Sequence, residues 1–384
     1  MRAKATLLVL LVMTVSLAGC FGANEAPAEA EIETEMDQRI FVTNGSGMAV
    51  NEAPIVMDFV FSDVGETGKE PSIGITSSGC MFFIAMEKPM RSCDYGATWE
   101  NTRDFTQAPF TSDPYGWVDP VTDRIFNIHM MGLATTWIGW SDDDGESWSI
   151  PYPVEGYELP QDHQSIASMP HSNALVGDVV YVYCINTGSA AAGPMCSRSV
   201  TGGQSWDQQA IGFPVESFPQ CSGLHGHVAG GSDGSIYRGN PSCEGPAVYR
   251  SLDGGFTWSE HTITTEVGMQ QGWHSHEVAT AVDEGGNVHA TWISTDQMIW
   301  YANSQDQGDS WSQPLMVSAP GIKETGFPTI FAGDSGKVVI GYIGEMNDVT
   351  ENNTTTGGVG WGGYMAVMTD AFAEMPLITS VAVN

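Results

Sequence analysis

Across 384 residues, 46 aspartates and glutamates oppose 13 lysines and arginines, for a formal net charge of −33. Such a surface repels polyanions and offers no basic patch to displace phosphate counterions, which excludes nucleic acid as a partner. Only four lysines follow the first few residues, Lys69, Lys88, Lys323 and Lys337, a balance suited to a chain kept soluble in salty surroundings.

Residues 1–19 read as a secretory signal. Arg2 and Lys4 form the basic start, and Ala5 to Ser16 form an apolar run too short to span a bilayer as a helix. The run ends in Leu17-Ala-Gly-Cys20, which has the order of a lipoprotein signal in which Cys20 is acylated and becomes the mature first residue. The expected anchorage is the outer face of the cell membrane. Ala23 to Gln38 carries six acidic residues and no basic one, so residues 20–38 are expected to be a solvated tether. The folded body is expected over residues 39–384.

Within that body short strand candidates alternate with turn signals. Arg39 to Asp63 holds strand-like runs such as Ile55 to Phe61, expected to complete or cover the edge of the last blade of a ring. A first unit reads as Pro71 to Thr76, Cys80 to Met86 and Pro89 to Cys93. A second has Arg124 to Met130 and Thr136 to Trp140. A third uses Ser165 to Met169, Val179 to Ile185 and Met195 to Ser199. The fourth uses His227 to Gly231, Ser235 to Gly239 and Ala247 to Ser251. The fifth uses Glu277 to Val282, Asn287 to Ile293 and Met298 to Ala302, with a tight hairpin at Glu284-Gly-Gly286. A sixth uses Pro328 to Ala332, Lys337 to Tyr342 and Gly363 to Met368, with a polar insert from Glu345 to Gly360 that contains the glycan-acceptor pattern Asn353-Thr-Thr. The chain ends directly after an apolar run, which leaves open whether more follows.

Each of the first five units closes on one pattern, S-x-D-x-G-x-[ST]-W. The copies hold Asp94 and Trp99, Asp143 and Trp148, Thr201 (in place of Asp) and Trp206, Asp253 and Trp258, and Asp306 and Trp311. The tryptophans fall 49, 58, 52 and 53 residues apart, a period that fits a radially repeated all-β structure. Ser and Asp can bond backbone N–H groups two residues on, Gly supplies positive φ, and Trp begins the next strand with a large apolar body. The pattern resembles the Asp-box, or BNR repeat, of sialidase-like β-propellers, and its copies cover roughly residues 64–384. The resemblance implies six blades of four antiparallel strands, with the boxes as structural corners on the rim away from the active site.

Six cysteines follow Cys20. Neighbouring antiparallel strands favour the pairs Cys80–Cys93, Cys184–Cys196 and Cys221–Cys243, as exported chains can keep, and no C-x-x-C spacing supports a thiolate metal site.

In a propeller the innermost strands line a central channel, and ligands bind at the mouth where those strands begin. That places Glu70, Asp119, Asp162, His163, Gln164, His225, His227, Trp273, His274, His276, Glu277 and Phe327 around one axis. Five of the nine histidines are in this set. A sialidase grips its substrate carboxylate with three arginines and uses a Tyr nucleophile paired with Glu and an Asp acid/base. Here Glu70-Pro-Ser-Ile73 stands where the first arginine is expected, and Phe327-Pro-Thr-Ile330 where the Tyr is expected. His227-Val228 occupies the place of the Glu, and Arg250 is the one candidate for a second arginine. Ordinary sialidase chemistry is therefore not expected.

The histidines admit three roles. Each imidazole can bond a backbone carbonyl or channel water and tie adjacent blades. With Glu277 and Asp162 they also offer donors for a divalent metal, His163, His227 and His276 being the candidates. Without a metal, the same ring of His, carboxylate, Gln164 and Trp273 suits a neutral sugar. His129 is expected to be a satisfied core residue. The functional expectation is a surface propeller that binds a glycan or other extracellular ligand. The alternatives are a glycoside hydrolase or lyase using Glu277 or Asp162 with His227 or His276, and a scaffold whose rim binds protein.

Overall fold

The computed structural model describes residues 40–43, 62–66, 70, 72–86, 88–102, 111, 113–155, 159–187, 193–214, 225–242, 245–269, 278–345 and 361–383. The signal, Cys20 and the tether lie outside these residues. So do Ile55 to Phe61, Cys221, Cys243, Trp273, His274, His276, Glu277 and residues 346–360 of the insert.

All described elements are strands. After β1 (Ile40–Thr43), the first blade is β2 (Ile73–Ile75), β3 (Met81–Ala85), β4 (Lys88–Ser92) and β5 (Glu100–Asn101). The second is β6 (Asp113–Val118), β7 (Ile125–Met131), β8 (Thr135–Ser141) and β9 (Tyr152–Glu155). The third is β10 (Gln161–Pro170), β11 (Val179–Thr187), β12 (Pro194–Ser199) and β13 (Ala210–Ile211). The fourth is β14 (Val228–Gly230), β15 (Ile236–Ser242), β16 (Gly245–Ser251) and β17 (Ser259–Thr262). The fifth is β18 (Ala279–Val282), β19 (Val288–Ile293), β20 (Ile299–Ser304) and β21 (Leu315–Met316). The sixth is β22 (Glu324–Ala332), β23 (Val338–Glu345), β24 (Trp361–Met368) and β25 (Ile378–Ala382).

Every blade is an antiparallel meander in chain order, and the six form a ring: a six-bladed β-propeller. β1 adds a fifth strand to the last blade, Ile40 pairing Val381 and Thr43 pairing Ile378, so residues 40–43 of the segment that precedes blade one lie on the last blade's outer edge. Second strands such as β11 are buried along their whole length, because each blade packs both faces against a neighbour. The seams are apolar: Phe82 meets Val118 and Ile125 between blades one and two, and Phe126 joins Tyr181 and Tyr183 between two and three. Tyr237 packs with Val278 and Trp292 between blades four and five.

The five repeated motifs are the corners that follow each third strand. In four of them the serine hydroxyl donates to one Asp oxygen and accepts the glycine N–H, while the Ser or Thr near the end donates its N–H and hydroxyl to the same carboxylate. The corners at Asp253 and Asp306 repeat this set. At the third, Thr201 Oγ1 accepts the Ser205 N–H at 2.9 Å in place of the carboxylate.

Arginines tie corner to corner. Arg91 donates to Asp144 O, Arg124 to Gly202 O, Arg198 to Gly255 O and Arg250 to Gln307 O, each reaching the corner of the next blade. Asn303 makes the equivalent reach from blade five to Ala371 O. Each of these four arginines also meets a carboxylate.

Neighbouring blades approach closely enough near their inner strands to require glycine. A Cβ on Gly239 would lie 1.7 Å from Val278 O, one on Gly226 1.9 Å from the same oxygen, and one on Gly230 1.8 Å from Ser168 O. The disulfides Cys80–Cys93 and Cys184–Cys196 staple second to third strands in blades one and three, as expected.

Candidate functional site at the channel mouth

Inner strands β2, β10 and β22 are entered by one device. Glu70, His163 and Phe327 all have positive φ, at 48°, 59° and 50°, and each stands three residues before a partly or fully buried isoleucine: Ile73, Ile166 and Ile330. In β10 the register skips from Asp162 opposite Asn186 to Ser165 opposite Cys184, and in β22 from Gly326 opposite Ile343 to Thr329 opposite Gly341. These are bulges that re-aim one side chain at a strand start. Left-handed backbone is unfavourable for a β-carbon residue, and its recurrence at one end of three blades is the kind of strain that clusters at ligand sites. The sequence signal was present as x-[PQ]-[ST]-I at Glu70, His163 and Phe327.

Three blades bring aromatic rings together there. The rings of His163 and His227 stack at 4.5 Å and 5°, across the seam of blades three and four. Tyr115, from β6 of blade two, lies 5.0 Å from His227. Gln164 Nε2 donates to Asp113 O at 2.8 Å, joining blades three and two, and Asp162 Oδ1 accepts the His163 N–H. The His227 carbonyl accepts from Thr280 Oγ1 of blade five.

Behind the pair lies a polar cluster that the sequence did not reveal. Asn186 Oδ1 accepts Arg238 NH2 at 2.8 Å and faces His225 Nδ1 at 3.1 Å, and Arg238 Nε donates to Gly226 O. Arg238 is 0 % exposed, and NH1 has no hydrogen-bond acceptor among the described residues. Burial lowers its pKa to about 9. Among the described arginines it alone has no ion pair with a carboxylate, which makes it a guanidinium held by neutral acceptors beneath the mouth. Tyr115, Asn186 and Arg238 are the residues sequence reasoning missed.

Two expected residues stand elsewhere. Asp119 follows β6 rather than preceding it, so it sits at the opposite end of the inner strand. There it is buried and accepts from Ser168 Oγ at 2.6 Å, Tyr181 OH at 2.9 Å and Thr122 Oγ1, a tie between blades two and three. Arg250 serves the corner of blade five through Gln307 O and Asp309, away from the mouth. Glu70 and the half-exposed Phe327 start the inner strands of blades one and six, apart from the histidine pair. His129 is buried against Asn127 Oδ1 at 2.6 Å, as a core histidine should be.

The stacked imidazoles present faces to each other. Their lone pairs lie in parallel planes and do not converge on one ion. No group of three or more His, Cys, Asp or Glu among the described residues is placed to hold a metal.

No protein-family model and no curated protein matches the chain. Solved structures do match. A Hadza microbial sialidase is 18 % identical, with 77 % of this chain and 68 % of that one covered and a TM-score of 0.47. The α-L-arabinofuranosidase Arb93A from Fusarium graminearum is 14 % identical over 80 % of this chain and 91 % of that one, with a TM-score of 0.46. The Aleuria aurantia lectin, in complex with α-methyl-L-fucoside, is 11 % identical over 81 % and 93 %, also at 0.46. These likenesses concern the fold, and the chemistry of the mouth rests on this chain's own residues.

What the mouth offers is a wall of partly exposed flat rings and an exposed carboxylate at Asp162, with the buried amides of Gln164 and Asn186 behind it tying the blades together. Flat rings receive an apolar C–H face, and amides and carboxylates receive hydroxyls.

Proposed function

We propose that this chain is an exported propeller, lipid-anchored through Cys20 and held off the membrane by its acidic tether, that binds a neutral glycan where blades two, three and four meet at the channel mouth. The observation that carries this is the Tyr115–His227–His163 ring wall on three successive blades, backed by hydrogen-bonding side chains. Two disulfides and five Asp-box-like corners accord with an exported sialidase-like scaffold.

Sialidase hydrolysis is not part of the proposal. Phe327 has no hydroxyl to form a glycosyl-enzyme, and Arg238 is sealed from solvent. The purified body is expected to bind immobilised neutral glycans and to release no fluorophore from aryl sialosides or neutral aryl glycosides. Turnover that disappears in an Asp162→Asn variant would instead make the mouth a hydrolase site with Asp162 as its acid or base.

A further inference from the structure

The seam of blades three and four departs from the repeat three times on the face opposite the mouth. The sixth residue of the corner motif is Ala97, Glu146, Gln204, Phe256 and Asp309 in the five copies. Glu146 and Asp309 pair with the arginine of the preceding blade, at 2.7 and 2.9 Å. At this seam the same position holds Phe256, the one aromatic among the five copies, whose ring lies 3.7 Å from the Arg198 guanidinium and stays 58 % exposed. Arg198 takes its carboxylate from its own blade, Asp207. The second departure is Thr201 in the neighbouring corner. The third is the inner hairpin: six residues separate the closing pair His171 and Asp178, against three between Gly231 and Ser235 or Asp283 and Asn287.

A half-open cavity of about 360 Å³ lies at this seam, bordered by His171, Asn173, Arg198, Trp206, Asp207 and Phe256. That volume falls within the range of about 300–1,000 Å³ usual for ligand pockets. The Trp206 ring borders this cavity, while its buried indole N–H, like those of Trp148, Trp258 and Trp311, has no acceptor among the described residues.

We propose that this cavity is a second carbohydrate site, for a neutral monosaccharide unit, on the corner face of the propeller. The Phe256 ring, backed on one side by Arg198, leaves its other face for the C–H face of a pyranose. Arg198 and Asp207 cancel each other's charge, which favours a neutral ligand over an acidic one. Asp207, Asn173 and His171 are the partners for its hydroxyls. This site does not depend on the one at the mouth.

The test is a titration of indole-¹⁵N-labelled body with the methyl pyranosides of glucose, galactose, mannose, fucose and xylose. The Trp206 resonance is assigned with Trp206→Phe. A saturable shift of that resonance with at least one glycoside is expected. Phe256→Glu, which places there the kind of side chain that the corners of blades two and five carry as Glu146 and Asp309, should weaken binding by about tenfold or more. Phe256→Tyr and His227→Ala should leave it intact. No shift with any of the five glycosides, or unchanged affinity in a Phe256→Glu protein with native thermal unfolding, would overturn the proposal.

Discussion

Gly239→Ala is expected to destabilise the propeller by about 3 kcal/mol, the upper end for overpacking a core. A methyl group there meets Val278 O at 1.7 Å and Val278 C at 2.6 Å. The obstacle is backbone, which cannot rotate away as a side chain can, so blade five has to move from blade four. The same carbonyl faces Gly226, whose N–H bonds Gly239 O at 3.0 Å, and Gly226 lies between His225 and His227. The substitution should therefore also shift the histidine pair. Gly286→Ala is the control: it has open space and φ +81°, and should lose only about 1 kcal/mol for its backbone conformation. Urea unfolding of both variants checks the contrast; equal losses would show that close approach at Val278 does not limit the packing of these blades.

Acid should unfold the protein through its corners. The Thr98 hydroxyl and N–H, with Ser92, hold the Asp94 carboxyl down at about 2. Bonds from Ser147 and Ser310 hold Asp143 and Asp306 below the usual carboxylate range. At Asp253 burial pulls upward, but the bonds from Thr257 and Ser251 outweigh it. Each folded pKa lies below its unfolded value, so each carboxylate contributes stability that is complete above about pH 4 and is lost as pH falls toward the folded pKa. Four such groups titrating together predict steep loss below about pH 4. Between pH 7 and 5, the fading of repulsion in a chain of net charge −33 works the other way. The corner at Thr201 has no carboxylate and should contribute nothing to the acid transition. Replacing Asp253 and Asp306 with Asn should lower stability at pH 7 and flatten its decline below pH 4. An unaltered pH profile would mean that the corners are not the acid-sensitive element.

The fold was legible because its corners need particular atoms: a Ser and an Asp to collect N–H groups, a Gly for positive φ, and a Trp to bury. Strands between corners followed from alternation, including the pairs that carry Cys80–Cys93 and Cys184–Cys196. β6 was hidden because Pro114 and Gly116 interrupt its pattern. Missing it had two consequences: Asp119 was placed at the wrong end of the strand, and Tyr115 was not recognised as part of the mouth. Arg238 was invisible for another reason. In Ile236-Tyr-Arg-Gly-Asn240 an arginine reads as a solvent-facing position, whereas the neighbouring blade seals it. Outer strands such as β13 and β21 span two residues each, too short for any periodicity to show.

The most direct measurement is glycan binding by the purified body, residues 39–384, beside a His163→Ala/His227→Ala variant, on an array of neutral oligosaccharides. Binding by the native protein that falls by tenfold or more in the variant, with unfolding unchanged, is the predicted result. Equal binding by the two proteins, or none by either, would contradict a glycan site at the mouth.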